Sequence, residues 1–291
     1  MASDTRNVKL GVCQVFFGGQ DLGYTKGGVE VTMSTETHKV EIDQFGKTPI
    51  NELVMGRDLK VKVPLAETTL ENMVAIMPGA TLIETGGTVA SGTITLSTNP
   101  TAAETITVNG VEFTFVSSLT GVENEILIGT DKDETASNIA TVLNASNDPA
   151  VAKATYSAAA GVVTVKYGNS VIYGTSGMKS TEGNAFTLVD GTATAIAVSG
   201  ATLTGGTNST AKKIAVNSGI GTDLLSIAQE IRLHPVGKVA TDLSEDFIVP
   251  LAGTGGALNF GYKVDDERVY NVEFSGYPDP VTGILYKVGG R

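Results

Sequence analysis

Few groups in this chain could do chemistry: 1 Cys, 2 His and 31 Asp or Glu among 291 residues. Cys13 with His38 and an acid has the composition of a thiol triad, where an imidazole activates the thiolate and a third group holds the ring. The spacing argues otherwise, since Cys13 alternates with Val15 and Phe17 on one strand face, where a thiol acts as a small inert hydrophobe. His38 and His234 with that single Cys cannot complete a closed zinc site of Cys and His ligands. Asp131, Asp133 and Glu134 open like a calcium loop, but the Gly at the sixth position and the Glu at the twelfth are missing, and helix capping accounts for the same residues. Asp265, Asp266 and Glu267 read as a polar turn. Residues 18–28 are glycine-rich, yet Lys26 lacks phosphate-loop spacing and no Ser or Thr follows it, so turns are expected. Asn144 and Asn208 match the glycosylation pattern by chance, given a start without a signal peptide. The expectation is a protein with no active site, no metal and no cofactor.

Composition then divides the chain. Residues 86–208 are more than half Thr, Ala, Gly or Ser and contain no Arg, His or Cys, while the flanks hold all 5 Arg and both His. The middle carries 10 acids and 4 bases, the flanks 21 acids and 16 bases, so both are acidic within a net charge of −11. A chain that gripped nucleic acid would need Lys and Arg to neutralise phosphates, and no basic block is present; an acidic surface repels DNA instead. A hydrophobic share of 41% and a charged share of 18% describe a folded protein, and no apolar run reaches the roughly 18 residues of a membrane span. One Cys excludes an internal disulfide, and synthesis in a cytosol is expected.

The elements that must position any functional group are mostly strands. Residues 8–17 read as a strand buried on both faces; Val29, Val31 and Met33 form a second period-two set and residues 38–45 a third. Leu59, Val61, Val63 and Leu65 face one way with Lys60 and Lys62 opposite, which predicts a half-buried strand. Leu70, Met73, Val74 and Met77 recur at helical spacing behind a capping box of Thr68 and Glu71, and Pro78 ends the helix. In the middle, residues 104–116 alternate about an Asn109-Gly110 hairpin turn, Asp131 caps a helix to about Ala145, and strands follow at 161–167, 185–189 and 195–203. In the second flank, residues 222–233 fit a strand or a helix equally, and strands are expected at 247–251, 257–263, 267–274 and 284–288. Neither flank has enough strands to close a sheet alone. The fold expected is mainly β, a sandwich or barrel with one short helix built from residues 1–85 plus 209–291, carrying an inserted small α+β domain at 86–208.

Several runs of the flanks carry a family resemblance. VEIDQFGKTPINELVMGR (residues 40–57), LAETTLENM (65–73), IAQEIRLHP (227–235), the strand around Tyr262 and ERVYNVEFSG (267–276), in this order, resemble the tail tube proteins of long-tailed bacteriophages. The middle is similar to a recurrent module of phage structural proteins in ETITVNGVEFTF (104–115), ETASNIATVL (134–143), GNAFTL (183–188) and SGATLTGG (199–206). The resemblance implies a virion protein whose hexameric rings stack into a hollow tube enclosing a tape-measure protein, with tail-end proteins as further partners. DNA would pass through the lumen without specific binding, and no membrane insertion is involved. An outward-facing insert implies a non-contractile, siphovirus-like tail. The candidate contacts between subunits or rings are Asp43, Gln44, Phe45, Lys47, Thr48, Pro49, Asn51 and Glu52 in a loop, with Arg57 beyond it. The alternative is a cell-surface glycan-binding or adhesion module displayed on a virion, for which a chain without Trp offers few stacking rings.

Overall fold

The computed structural model describes residues 11–290, so the start of the expected first strand, residues 8–10, lies outside the described residues. The first flank contains β1 (Cys13–Phe17), β2 (Gln20–Asp21), β3 (Glu30–Glu41), β4 (Pro49–Leu65), α1 (Leu70–Ile76) and β5 (Ala80–Thr85). The middle follows with β6 (Ser91–Leu96), β7 (Thr105–Val108), β8 (Val111–Val116), β9 (Glu125–Leu127), α2 (Lys132–Ala145), β10 (Ala154–Ala159), β11 (Val162–Tyr167), α3 (Ser170–Tyr173), β12 (Leu188–Val189) and β13 (Ile196–Val198). The second flank adds β14 (Ala211–Val216), β15 (Gln229–Pro235), β16 (Phe247–Gly253), β17 (Tyr270–Tyr277) and β18 (Lys287–Val288). The protein is mainly β.

Strands from the two flanks interleave in one sheet of order β2-β1-β15-β16-β17-β4-β3, with β18 paired to β16. Each flank supplies strands that only the other can pair, so neither makes this sheet alone. One face buries Val15, Phe17, Leu59, Val61, Val63, Leu65, Ile231, Val249, Val272 and Phe274, and Ile76 of α1 closes over them. Each large side chain so buried contributes roughly 1.5–3 kcal/mol. The period-two set from Leu59 to Leu65 lies where its alternation puts it, with all four residues on the core side. The α1 cap is Thr69, which accepts from the Asn72 N–H, one residue later than the expected Thr68. Thr68 is engaged elsewhere, its hydroxyl accepting from the Arg268 guanidinium at 2.7 Å.

The middle segment has a hydrophobic cluster of its own, drawn wholly from residues between Ala90 and Leu203. Two four-stranded sheets, β10-β11-β6-β13 and β12-β7-β8-β9, pack with α2, and Phe113 and Phe115 are completely buried between them. Among the described residues, all strand pairings are antiparallel except β8 with β9. The β7–β8 turn forms as its sequence dictates, with Asn109 and Gly110 both at positive φ, 48° and 86°. Asp131 caps α2 by accepting from the N–H groups of Asp133 and Glu134.

Two connections join the segments. β5 and β14 form a two-stranded ribbon in register from Ala80↔Val216 to Thr85↔Ala211, and the middle segment departs from its far end. Beside the ribbon, the segment lies against β1: Asn169 Nδ2 donates to the Gly18 carbonyl at 3.3 Å, and Val171 packs on the flank core. Gly19 has φ 76°, and a Cβ there would stand 2.4 Å from that of Ala152, so the close approach requires glycine.

Four expectations are corrected. β1 is buried on one face only, since Val12 is 64% exposed and Phe16 is half-buried where the middle segment leaves a cleft. The separate strands expected around residues 29–33 and 38–45 are one strand, β3. The expected loop at 43–52 shrinks to a turn, because Pro49 begins β4, a position where its missing N–H costs no ladder bond. Residues 257–263 form no strand; they meet β17 at an Asn259↔Asn271 bridge and where Phe260 packs edge-on against Tyr270. Residues 222–233, which fitted strand and helix alike, turn at first and become β15 from Gln229.

Candidate functional site: a projecting hairpin

β3 and β4 pair along their whole length, from Glu30↔Lys62 to Glu41↔Pro49, and their distal halves project from the sheet. Every β3 residue is exposed except half-buried Val40, and β4 is exposed from Pro49 to Asp58. The candidate contacts therefore share one arm. Asp43, Gln44 and Phe45 form a 3₁₀ turn at its tip, closed by Gly46 at φ 62°. Lys47 and Thr48 complete the turn, and Thr48 N–H donates to the Phe45 carbonyl at 3.3 Å. Pro49, Asn51 and Glu52 lie in β4, where Glu52 accepts from the Thr37 hydroxyl at 2.6 Å. Arg57 pairs with Thr35 further down, away from the tip.

The arm presents apolar side chains to solvent. Phe45 is 63% exposed, Met55 66% and Val54 58%, with Ile50, Leu53, Val31 and Met33 also open. Register breaks between Glu36 and Thr37 and between Val40 and Glu41 leave Met55 and Ile50 as extra residues on β4. Such bulges bend a strand and re-aim its side chains, here spreading apolar groups over both arm faces. Leu53, Val54 and Met55 were not among the sequence candidates. Their signal was available: three consecutive apolar residues in a strand place at least one on each face, which a surface strand avoids unless something covers it.

The other chemistry-bearing residues are dispersed. Cys13 lies in β1 opposite Pro235 and His38 lies in the arm opposite Leu53, in strands at different places in the sheet. Burial pushes the Cys13 thiol up from its ordinary value, which favours the protonated form. Asp266 and Glu267 both accept from Lys26, so this acidic turn is an exposed ion-pair cluster. Among the described residues no three His, Cys, Asp or Glu side chains converge on a metal site, and no helix is long and apolar enough to cross a membrane.

Sequence reasoning missed a buried charge cluster on β15. Four consecutive residues, Ile231 to His234, are buried, so both faces of the strand are covered. Ile231 and Leu233 face the flank core; Arg232 and His234 face the other way, toward Asp246. Asp246 is 0% exposed, with one carboxylate oxygen 2.7 Å from His234 Nδ1 and the other 3.8 Å from an Arg232 nitrogen. Arg232 also stacks over Phe16, 4.5 Å from the ring centroid. Two ionisable residues at i and i+2 inside an apolar strand were the available signal, because a buried charge demands a partner. No protein-family model and no curated protein matches this sequence.

Proposed function

We propose that this protein is a structural assembly subunit of the phage tail tube type, with the projecting hairpin joining copies to one another. The observation that carries this reading is the hairpin: a 12-residue edge strand whose outer side is unpaired among the described residues, beside apolar side chains open to water. Edges of this length and character pair promiscuously unless a partner covers them, and for a self-assembling chain the natural partner is another copy. The two sheet edges are unlike, β3 on one side and the two-residue β2 on the other, and joining the β3 arm of one copy to a different surface of the next is heterologous and leads to rings or open helical filaments. Hexameric rings stacked into a tube, enclosing a tape-measure protein and passing DNA, follow from the family resemblance. A net charge of −11 suits a conduit that must not bind the polymer it conducts.

The test is negative-stain electron microscopy of purified protein beside a variant carrying Leu53→Lys, Val54→Lys and Met55→Lys. The native chain should form tubes with regular lateral projections, and the variant should stay dispersed with an unchanged circular dichroism spectrum. Monodisperse native monomers under every condition tried would overturn the reading, as would tubes from the variant.

A further inference from the structure

We propose that the outer edge of β3 in one copy adds to the outer edge of β14 in the next, so that the β5–β14 ribbon receives the projecting arm. The pairing rests on the assembly reading above and fixes which surface of the neighbour the arm meets.

The other strand margins are short or covered. Among the described residues, β2, β9, β12, β13 and β18 are only two or three residues long, too short to template a strand. The six-residue β10 is closed at Tyr156, whose N–H and carbonyl are both engaged by the Asn144 side chain of α2, at 3.1 and 2.8 Å. β5 is flanked by the middle segment, where Lys179 Nζ donates to the Glu84 carbonyl at 3.3 Å. β14 pairs with β5 alone, and its six residues are all half-buried or exposed. It therefore offers a row of backbone donors and acceptors about 20 Å long, as β3 does on the arm. Neither strand contains Pro, which would blunt an edge.

Charge selects the pairing. β14 carries Lys212 and Lys213 and no acid, whereas β3 carries Glu30, Glu36 and Glu41 against Lys39. Two β14 edges would bring lysines together and two β3 edges mostly glutamates, while the unlike pair joins opposite charges. On β14, Lys212 is committed to Glu71 at 2.6 Å; Lys213 points to the other face, opposite Ile83. On β3, Glu30 lies 3.6 Å from Lys62 and Lys39 lies opposite Glu52, but Glu36 lies opposite Gly56, which has no side chain to meet it. Glu36 and Lys213 thus face no opposite charge across their own strand pairs, and the added strand sets them side by side. Backbone bonds between the edges supply affinity, and the ion pair fixes register.

The test uses assembled full-length protein. Zero-length carbodiimide coupling of mixed isotope-labelled and unlabelled copies should yield a Glu36–Lys213 bridge of mixed isotope content by mass spectrometry, the mark of a bond between copies. Glu36→Lys or Lys213→Glu alone should raise the critical concentration for assembly about fivefold or more, because the contact becomes repulsive. The two together should return it to within about twofold of the native value, a rescue that a misfolded chain could not give. Both positions are exposed, so circular dichroism spectra should be unchanged. Assemblies that lack the bridge, or that tolerate both single reversals, would overturn this pairing and leave the assembly reading standing. A bridge from Glu36 to Lys39 of another copy would show arm pairing with arm and overturn it likewise. A native chain that never assembles would remove both.

Discussion

Asp246 is the residue whose loss the fold should feel most sharply. Its carboxylate is fully buried between the His234 ring and the Arg232 guanidinium, and both of those side chains are themselves almost wholly buried. Removing one member of a buried ion pair leaves the other charge desolvated and uncompensated, at a cost of about 3–5 kcal/mol. Asp246→Ala is therefore expected to lower the unfolding free energy by about that amount in urea denaturation. Adding Arg232→Met should recover part of the loss, because the stranded charge is then gone. A single variant as stable as the native chain would show that Asp246 does not hold this cluster together. The sequence made His234 visible only as one of two imidazoles, useful for arguing against zinc. Its partnership with Asp246 depends on the pairing of β15 with β16, where Leu233 lies opposite Phe247, a register that the local pattern does not announce.

Among the elements, α2 and the β7–β8 hairpin were fully legible. Their signals are local and chemical: a side-chain oxygen placed to cap free N–H groups, and an Asn-Gly pair able to adopt positive φ. The β3–β4 arm was read incorrectly because solvent faces both its surfaces, so no burial imposes a period and a Pro looks like a loop. The arm forms through cross-strand pairing alone, and its register breaks are set by the partner strand. The middle segment's elements also carry a pH prediction. Glu104, Glu125 and Glu134 are each held below the ordinary carboxylate value, by the Thr101 N–H, the Thr120 hydroxyl and the Thr130 hydroxyl respectively. A carboxylate whose folded pKa is depressed contributes stability above its unfolded value, 4.5 here, and loses it as pH falls through the folded value. The melting temperature should therefore fall as pH is lowered below about 4.5, and Glu125→Gln with Glu134→Gln should make that fall shallower in calorimetric scans. An equally steep decline in the double variant would place the acid sensitivity elsewhere, for instance at Glu273 beside Lys60.

At the scale of the whole molecule, the flanks are bound to each other more strongly than the middle segment is bound to them. The interleaved sheet order ties the two flanks together, whereas the middle segment keeps a hydrophobic cluster of its own and leaves through a ribbon whose last pair is Thr85↔Ala211. That geometry suits replacement of residues 86–210 by an Asn-Gly turn, which closes an antiparallel pair directly. The seam makes the deletion more than a trim, because it uncovers the flank residues against which Val171 packs and removes the Asn169 contact to Gly18. A loss of roughly 1–3 kcal/mol is expected from the exposed apolar surface, with cooperative unfolding retained. Assembly should survive, since the arm and both sheet edges belong to the flanks. Tubes of the shortened chain, smooth where native tubes bear projections, would match that division of labour. If the shortened chain unfolds cooperatively and keeps its β-sheet spectrum yet builds no tubes, the middle segment itself makes contacts between copies, and the hairpin is not sufficient for assembly.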